Sequence, residues 1–422
     1  MAKVCVSVSQ LLSIKNVGML CCLVIIFCQT VNAVDESPAV EWDRTYGPIQ
    51  GQDVISTEDS GYVVVGTTGD WVDARGGGDW TNRATLLIKL DALGEVVWRK
   101  NYTRIYPQSI SLTSDGGYIL TTSLDATLVK FDSLGNMLWN KTYAAIDDPW
   151  SVIQTRDGGF VIVGGGNHPI SGMAGKLVKI DLEGNLQWNK TYGETNDNGI
   201  LRSVIETDDG YVLAGSTHDD VWLVKTDSNG DMMWEKSYGG QKSDGCMAAV
   251  RATDGGYLLV GYTYSFGAGD YDSFVVKTDS WGNRLWQKTY GGSGSDGFGS
   301  IIRAMDGGYV LTGNVNSSDN DRASVVVKLS VSGELEWEKT YPGVDKLQSV
   351  DLAVDGGYIL VGNKGYSLDI DSEVWVVKLA PDSCAQAGVF PVDDVIVVAL
   401  IVATIGTVIA VGVFLYRKSM DK

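Results

Sequence analysis

The chain has 422 residues, 52 acidic against 33 basic, and a formal net charge of −19. That balance repels a phosphate backbone and excludes nucleic acid as a partner. Two histidines leave no cluster for zinc or a catalytic dyad, and with four of six cysteines in the first 28 residues there is no disulfide framework.

Residues 1–33 have the layout of a signal peptide. Lys3 and Lys15 come first, then an apolar run from Val17 to Cys28, then Val31-Asn32-Ala33 at a cleavage point. Phe27 is too bulky for a lipid-anchored Cys28. Beyond this segment one sequence pattern recurs over residues 34–380. A turn ends in Gly-aromatic (Gly61-Tyr62, Gly117-Tyr118, Gly159-Phe160, Gly210-Tyr211, Gly256-Tyr257, Gly308-Tyr309, Gly357-Tyr358), and an apolar strand follows. Then come a lysine, a turn with Gly, and Trp (Trp42, Trp98, Trp139, Trp188, Trp234, Trp286, Trp337) four residues before Tyr. Repeats of about 40–55 residues signal a repeat architecture.

Each repeat reads as four short strands, A to D. Asp-Gly-Gly between two apolar runs, as at Asp157, makes an A–B hairpin. Lys precedes Trp by nine residues in all six pairs from Lys89/Trp98 to Lys328/Trp337, which describes a tight C–D hairpin. The chain starts with a lone D strand (Ala39 to Tyr46) and ends with only A, B and C strands (Gln348 to Leu379). The lone strand can complete the last blade. The expected fold is therefore all-β, a seven-bladed β-propeller of four-stranded blades closed by the N-terminal strand, with an open β-solenoid as runner-up. The recurring Trp and Tyr read as packing between blades, and the recurring Lys is expected near the turn Asp two residues on. Cys246 falls in an inner strand and Cys384 in the tail, so a bond between them is disfavoured. Asn101, Asn140, Asn189 and Asn316 begin glycosylation sequons.

After the propeller, residues 381–394 make a short linker. Residues 395–416 are 22 without a charge, about 33 Å as a helix, enough for one C-terminal transmembrane helix. Arg417, Lys418 and Lys422 place the tail, 417–422, in the cytoplasm and the propeller outside. Without the two terminal segments the chain holds 28 basic and 51 acidic residues, a net −23, which favours cations.

Function is expected where the repeats disagree, in the B–C and D–A loops that share one face. From the aromatic mark to the lysine, Tyr118 to Lys130 spans 12 residues and Tyr62 to Lys89 spans 27. The longer stretch, Thr67 to Arg83, holds Trp71, Asp73 and Trp80 in a Gly-rich loop, which suits ligand contact or packing over a neighbouring blade. Asp244 and Asp296 each stand six residues after a D-strand Tyr, at the channel mouth, as loop caps or ligand contacts. The pairs Asp270/Asp272, Asp319/Asp321 and Asp369/Asp371 suit a hard cation such as Ca²⁺, or are solvated turn residues. No nucleophile elbow, P-loop or dinucleotide fingerprint stands in a strand–helix context, and no cofactor is required. Two carboxylates brought together from distant repeats stay open, as in a glycosidase.

Residues 254–261 and 276–292 carry the pattern nearly intact: Asp-Gly-Gly-Tyr-x-x-x-Gly, then Val-Lys-x-Asp-x-x-Gly-Asn-x-x-Trp-x-Lys-Thr-Tyr-Gly-Gly. The repeat resembles that of secreted and surface β-propeller proteins of archaea and bacteria. That resemblance implies surface location and little chemistry. A more distant likeness is to quinoprotein propellers, which also join strands C and D through Asp, Gly and Trp. The chain departs from them in blade count and in lacking an identifiable quinone-stacking Trp or vicinal cysteines. The expected function is a membrane-anchored extracellular module for binding, adhesion or the cell envelope, with a glycan or protein ligand. The alternative is an extracellular polysaccharide-active enzyme, a hydrolase or lyase.

Overall fold

Alternating apolar runs broken by Gly turns fold into 28 strands, β1 to β28 in chain order. In the computed structural model the described residues are 37–72, 79–103, 105–122, 127–167, 172–194, 198–316, 322–365 and 373–382. The signal segment, residues 395–416 and the tail lie outside them. Among the described residues no helix is long and apolar enough to cross a membrane.

The strands form seven four-stranded antiparallel sheets, each in A-B-C-D order. The first six blades are β2–β5 (residues 50–103), β6–β9 (107–142), β10–β13 (148–192), β14–β17 (200–238), β18–β21 (244–290) and β22–β25 (297–342). The seventh joins β26–β28 (344–379) to β1 (Val40–Thr45), the lone strand expected to close the ring. The A strands β2, β6, β10, β14, β18, β22 and β26 touch one another in order, and β26 returns to β2. They therefore line the centre, with the D strands outermost. Residues 39–380 form one compact unit.

Seven apolar cores lie between neighbouring blades. The recurring Trp belongs there. Trp42 meets Tyr62 at 5.9 Å, Trp98 meets Tyr118 at 6.4 Å, and Trp337 meets Tyr358 at 6.3 Å, each time across to the next blade. The Tyr four residues later reaches the same neighbour. Tyr46, Tyr143, Tyr192 and Tyr238 donate their hydroxyls to Gly94, Gly184, Gly230 and Gly282 carbonyls at 2.5–2.8 Å. Those glycines hold φ near +75° under the Trp ring: a Cβ on Gly282 would stand 2.6 Å from Trp234.

The recurring lysine takes a different partner from the expected one. Its ammonium crosses to the Asp of the A–B turn, in all seven blades, at 2.7–2.9 Å (Lys89–Asp59 through Lys378–Asp355). The Asp two residues after the lysine instead accepts turn amides, as Asp91 does from Leu93 and Glu95. In every blade a Cβ on the Gly before the aromatic would stand 2.0–2.5 Å from a C-strand carbonyl, and in six blades the lysine also lies beneath it. A Cβ on Gly61 would stand 2.5 Å from Lys89 Nζ.

The long B–C stretch is also more regular than a loop. Strand β3 runs Tyr62–Val72 and β4 runs Asp79–Leu90, pairing out to Val72 opposite Asp79. β-Branched and aromatic residues (Thr67, Thr68, Trp71, Val72, Trp80 and Thr81) extend the hairpin into a β-ribbon, with 73–78 between the strands.

Candidate functional site

Each A strand breaks register at the same place. One residue is inserted between paired neighbours: Gln52, Gln108, Trp150, Arg202, Met247, Gly299 and Gln348. A bulge of this kind re-aims one side chain and leaves it out of the ladder. All seven are half-buried, on the strands that line the channel. The B-strand residue four after the aromatic makes the bulge possible. It is Gly66, Gly164, Gly215, Gly261, Gly313 or Gly362, and Thr122 in the second blade. A Cβ on Gly215 would stand 1.9 Å from the Ile200 carbonyl, so in six blades a bare backbone makes room beside the inserted residue, while the second blade accommodates Thr122. The last Gly of Asp-Gly-Gly-Tyr-x-x-x-Gly was thus the sequence signal for a channel ring, although the ring residues are of five types.

After the bulge the next residue is Ser in five blades, Ala248 in one, and Asp53 in the first. Asp53 Oδ1 accepts from Ser349 Oγ at 2.6 Å and Oδ2 from the Ile110 amide at 2.9 Å, joining the inner strands of three blades. Burial raises its carboxyl, opposed by the Ser349 bond and the Ile110 amide. Asp351, on β26, accepts the Ser56 amide at 2.7 Å. Burial pushes its carboxyl up to about 6 against the Ser56 and Leu352 amides, and the Asp53 charge adds to the rise. Sequence reading missed this pair, because the two residues are almost 300 positions apart.

On the third and fourth blades Trp150 donates its indole N–H to Asp148 at 2.9 Å, and the Arg202 guanidinium lies 5.1 Å from the Trp150 ring centre. On the fifth blade Tyr262, Tyr264 and Tyr271 form one cluster, with ring centres 5.2–6.0 Å apart. Tyr264 and Phe266 are 41% and 36% exposed. Tyr262 pairs with Gly245 at the top of the inner strand, so the cluster stands at the channel mouth.

The predicted site residues separate into groups. Trp71 and Trp80 pair directly across the ribbon. Asp73, Asp319, Asp321, Asp369 and Asp371 lie outside the described residues. Asp244 and Asp296 are each 1% exposed and hold their D–A loops. Asp244 accepts from the Gly240 amide at 2.7 Å and Ser265 Oγ at 2.8 Å, and Asp296 from the Gly292 amide at 2.7 Å. Asp220 converges with Asp244 on Gly239, and burial raises its carboxyl, with the Asp244 and Asp219 charges adding to the effect. Asp272 is buried and accepts the Gly269 amide at 3.0 Å, while Asp270 is exposed. Among the described residues no three His, Cys, Asp or Glu side chains gather as a metal-binding group. Cys246 is a free, fully buried thiol in an inner strand, pushed up to about 12 by burial, and Cys384 lies outside the described residues.

The comparisons agree with this architecture. Residues 83–264 match the family model described as outer membrane protein assembly factor BamB, which gives the distant quinoprotein-type likeness and spans less than half of the chain. No curated protein matches. Solved propellers are similar at low identity. A catalytically inactive virginiamycin B lyase from Staphylococcus aureus with quinupristin shares 9% identity at TM-score 0.53, covering 80% of this chain and 99% of its own. Sqt1 from Chaetomium thermophilum shares 12% at TM-score 0.52, covering 82% and 99%, and the Neurospora crassa Pan2 WD40 domain shares 10% at 0.51, covering 81% and 96%. These likenesses establish the β-propeller fold, and the fold alone.

Proposed function

We propose that the protein is a cell-surface binding module, tethered by residues 395–416, whose ligand engages the loop face and the channel mouth. The observation that carries this reading is the ring of seven bulged residues. The bulge recurs in all seven blades and the Gly beside it in six, yet the ring itself holds Gln, Gln, Trp, Arg, Met, Gly and Gln. A position beside a close-approach Gly in six of seven blades, and filled by five residue types, suits an asymmetric ligand. The acidic loops suit a Ca²⁺-assisted contact. The test is a glycan and protein screen of the full-length protein in detergent, with and without Ca²⁺. Binding is expected to weaken with Trp80→Ala and Tyr264→Ala and to be unaffected by Leu93→Ser on the tight-turn face. The reverse pattern would place the site on the wrong face and sink the reading.

One observation favours a polysaccharide-active enzyme instead. Asp53 and Asp351 are carboxylates from different blades, both raised, with charges that feel each other. Release of reducing ends or unsaturated sugars from a polysaccharide panel, abolished by Asp351→Asn, would establish that alternative.

A further inference from the structure

The channel ring carries a single charge, Arg202, and its environment is unusual. The guanidinium spans three inner strands. It lies against Trp150 of β10, and its Nη1 donates to Ser216 Oγ at 3.4 Å and to the Cys246 carbonyl of β18 at 3.3 Å. Its Nε is buried and has no hydrogen-bond partner among the described residues. Asp148, whose carboxylate feels the Arg202 charge, accepts from the Trp150 indole and forms no ion pair with Arg202 among the described residues. A partly desolvated guanidinium with no ion pair among the described residues favours an incoming anion, and its planar fork matches a carboxylate best.

The surroundings narrow the class. Gln52, Gln108 and Gln348 bring neutral amides, which both donate to and accept from hydroxyls. Gly299 leaves room, since a Cβ there would meet nothing within 4 Å. Tyr264 and its two tyrosine neighbours present aromatic faces and hydroxyls at the mouth. Aromatic faces for the apolar side of a sugar ring, amides for its hydroxyls and one fork for an acid group describe a single ligand class.

We propose that the channel mouth binds an acidic oligosaccharide, with the carboxylate of a uronic acid on Arg202 and the sugar chain passing Tyr264. The inference rests on the loop-face reading above and names its ligand. Because the chain as a whole is acidic, its overall charge repels an acidic ligand, and the preference for acid must come from this one cation.

The experiment titrates the full-length protein in detergent with a panel of tetrameric uronates (galacturonate, glucuronate, guluronate) and with their methyl esters, which keep the rings and remove the charge. At least one acid is expected to bind about tenfold or more tighter than its ester. Arg202→Gln is expected to bring that acid to the level of the ester and leave the ester unchanged, while Arg202→Lys keeps part of the preference. Equal affinity of acid and ester for the unsubstituted protein would overturn the inference, whether or not any variant folds. So would an acid preference that survives Arg202→Gln, or an oligoglutamate peptide that binds more tightly than every uronate. A neutral glycan or a protein bound at the loop face without acid preference would overturn this inference alone. Binding confined to the tight-turn face would overturn the loop-face reading as well.

Discussion

The tight-turn ends of the blades and their channel ring teach opposite lessons about the same repeat. At the tight turns, seven lysines meet seven aspartates, and six Tyr hydroxyls reach six Gly carbonyls in the next blade. Identity there is demanded by geometry, because each side chain fills a space that the next blade shapes. At the ring, the inserted residue stands out of the ladder on a channel-lining strand, and the neighbouring blades impose no single residue type there. Repetition marks what the fold needs, and variation marks where it is free to bind.

The largest expected effect breaks the repeated half. Asp306→Ala removes the carboxylate 2.8 Å from the fully buried Lys328 ammonium, whose ion pair with Glu336 is longer, at 4.0 Å. A loss of about 3 kcal/mol is expected in chemical denaturation. The same truncation at the ring, Gln348→Ala, is expected within about 0.5 kcal/mol of the parent. If the two cost the same, the division between halves is wrong.

Next, Gly282→Ala forces a Cβ into a φ of +75° and 2.6 Å from Trp234, for a loss of about 2 kcal/mol. Gly299→Ala at the ring meets open space and is expected to leave the melting temperature unchanged.

The third effect is a pH dependence of opposite sign in the two regions. Asp351 is raised to about 6, so its folded form holds a proton more tightly than the unfolded chain. Stability linked to it rises as pH falls from about 7 to 4, by an amount on the order of 1–2 kcal/mol. In the turns, burial raises Asp59 and Asp115, but their hydrogen bonds, with Lys89 and Thr57 and with Thr113 and Lys130, outweigh it and hold both near 2. That contribution is present above about pH 4 and is lost as pH falls toward 2. Denaturation of Asp351→Asn across pH 4–7 should lack the first trend and keep the acid loss.

The smallest effect sharpens the seam. Six Tyr hydroxyls find a Gly carbonyl, but Tyr341 faces the seventh blade, where β28 and β1 are not joined by a turn. Its hydroxyl is buried with no hydrogen-bond partner, and its ring meets Trp375 at 5.1 Å instead. Tyr341→Phe is expected to be neutral or stabilising by up to about 1 kcal/mol, whereas Tyr290→Phe loses a 3.0 Å bond to Gly333 and about 1 kcal/mol. Equal losses would mean that the seam is closed like the other junctions.

The amino-acid sequence by itself determined the blade count, the four-strand unit, the closing strand and the packing role of Trp and Tyr. Each of these is written as a local spacing, nine residues from Lys to Trp or four from Trp to Tyr, and hairpins are built from local spacing. It also located Asp244 and Asp296 at their loops. Only the tertiary structure decided the rest. The lysine's partner sits across the B strand in the other turn, the Thr67–Arg83 stretch continues as paired strand, and Asp53 meets Ser349 and the charge of Asp351 from the opposite end of the chain. The channel ring is the clearest case. Three of its residues are Gln and the other four all differ, and they come together only because closure of the ring brings seven bulged inner strands around a single axis.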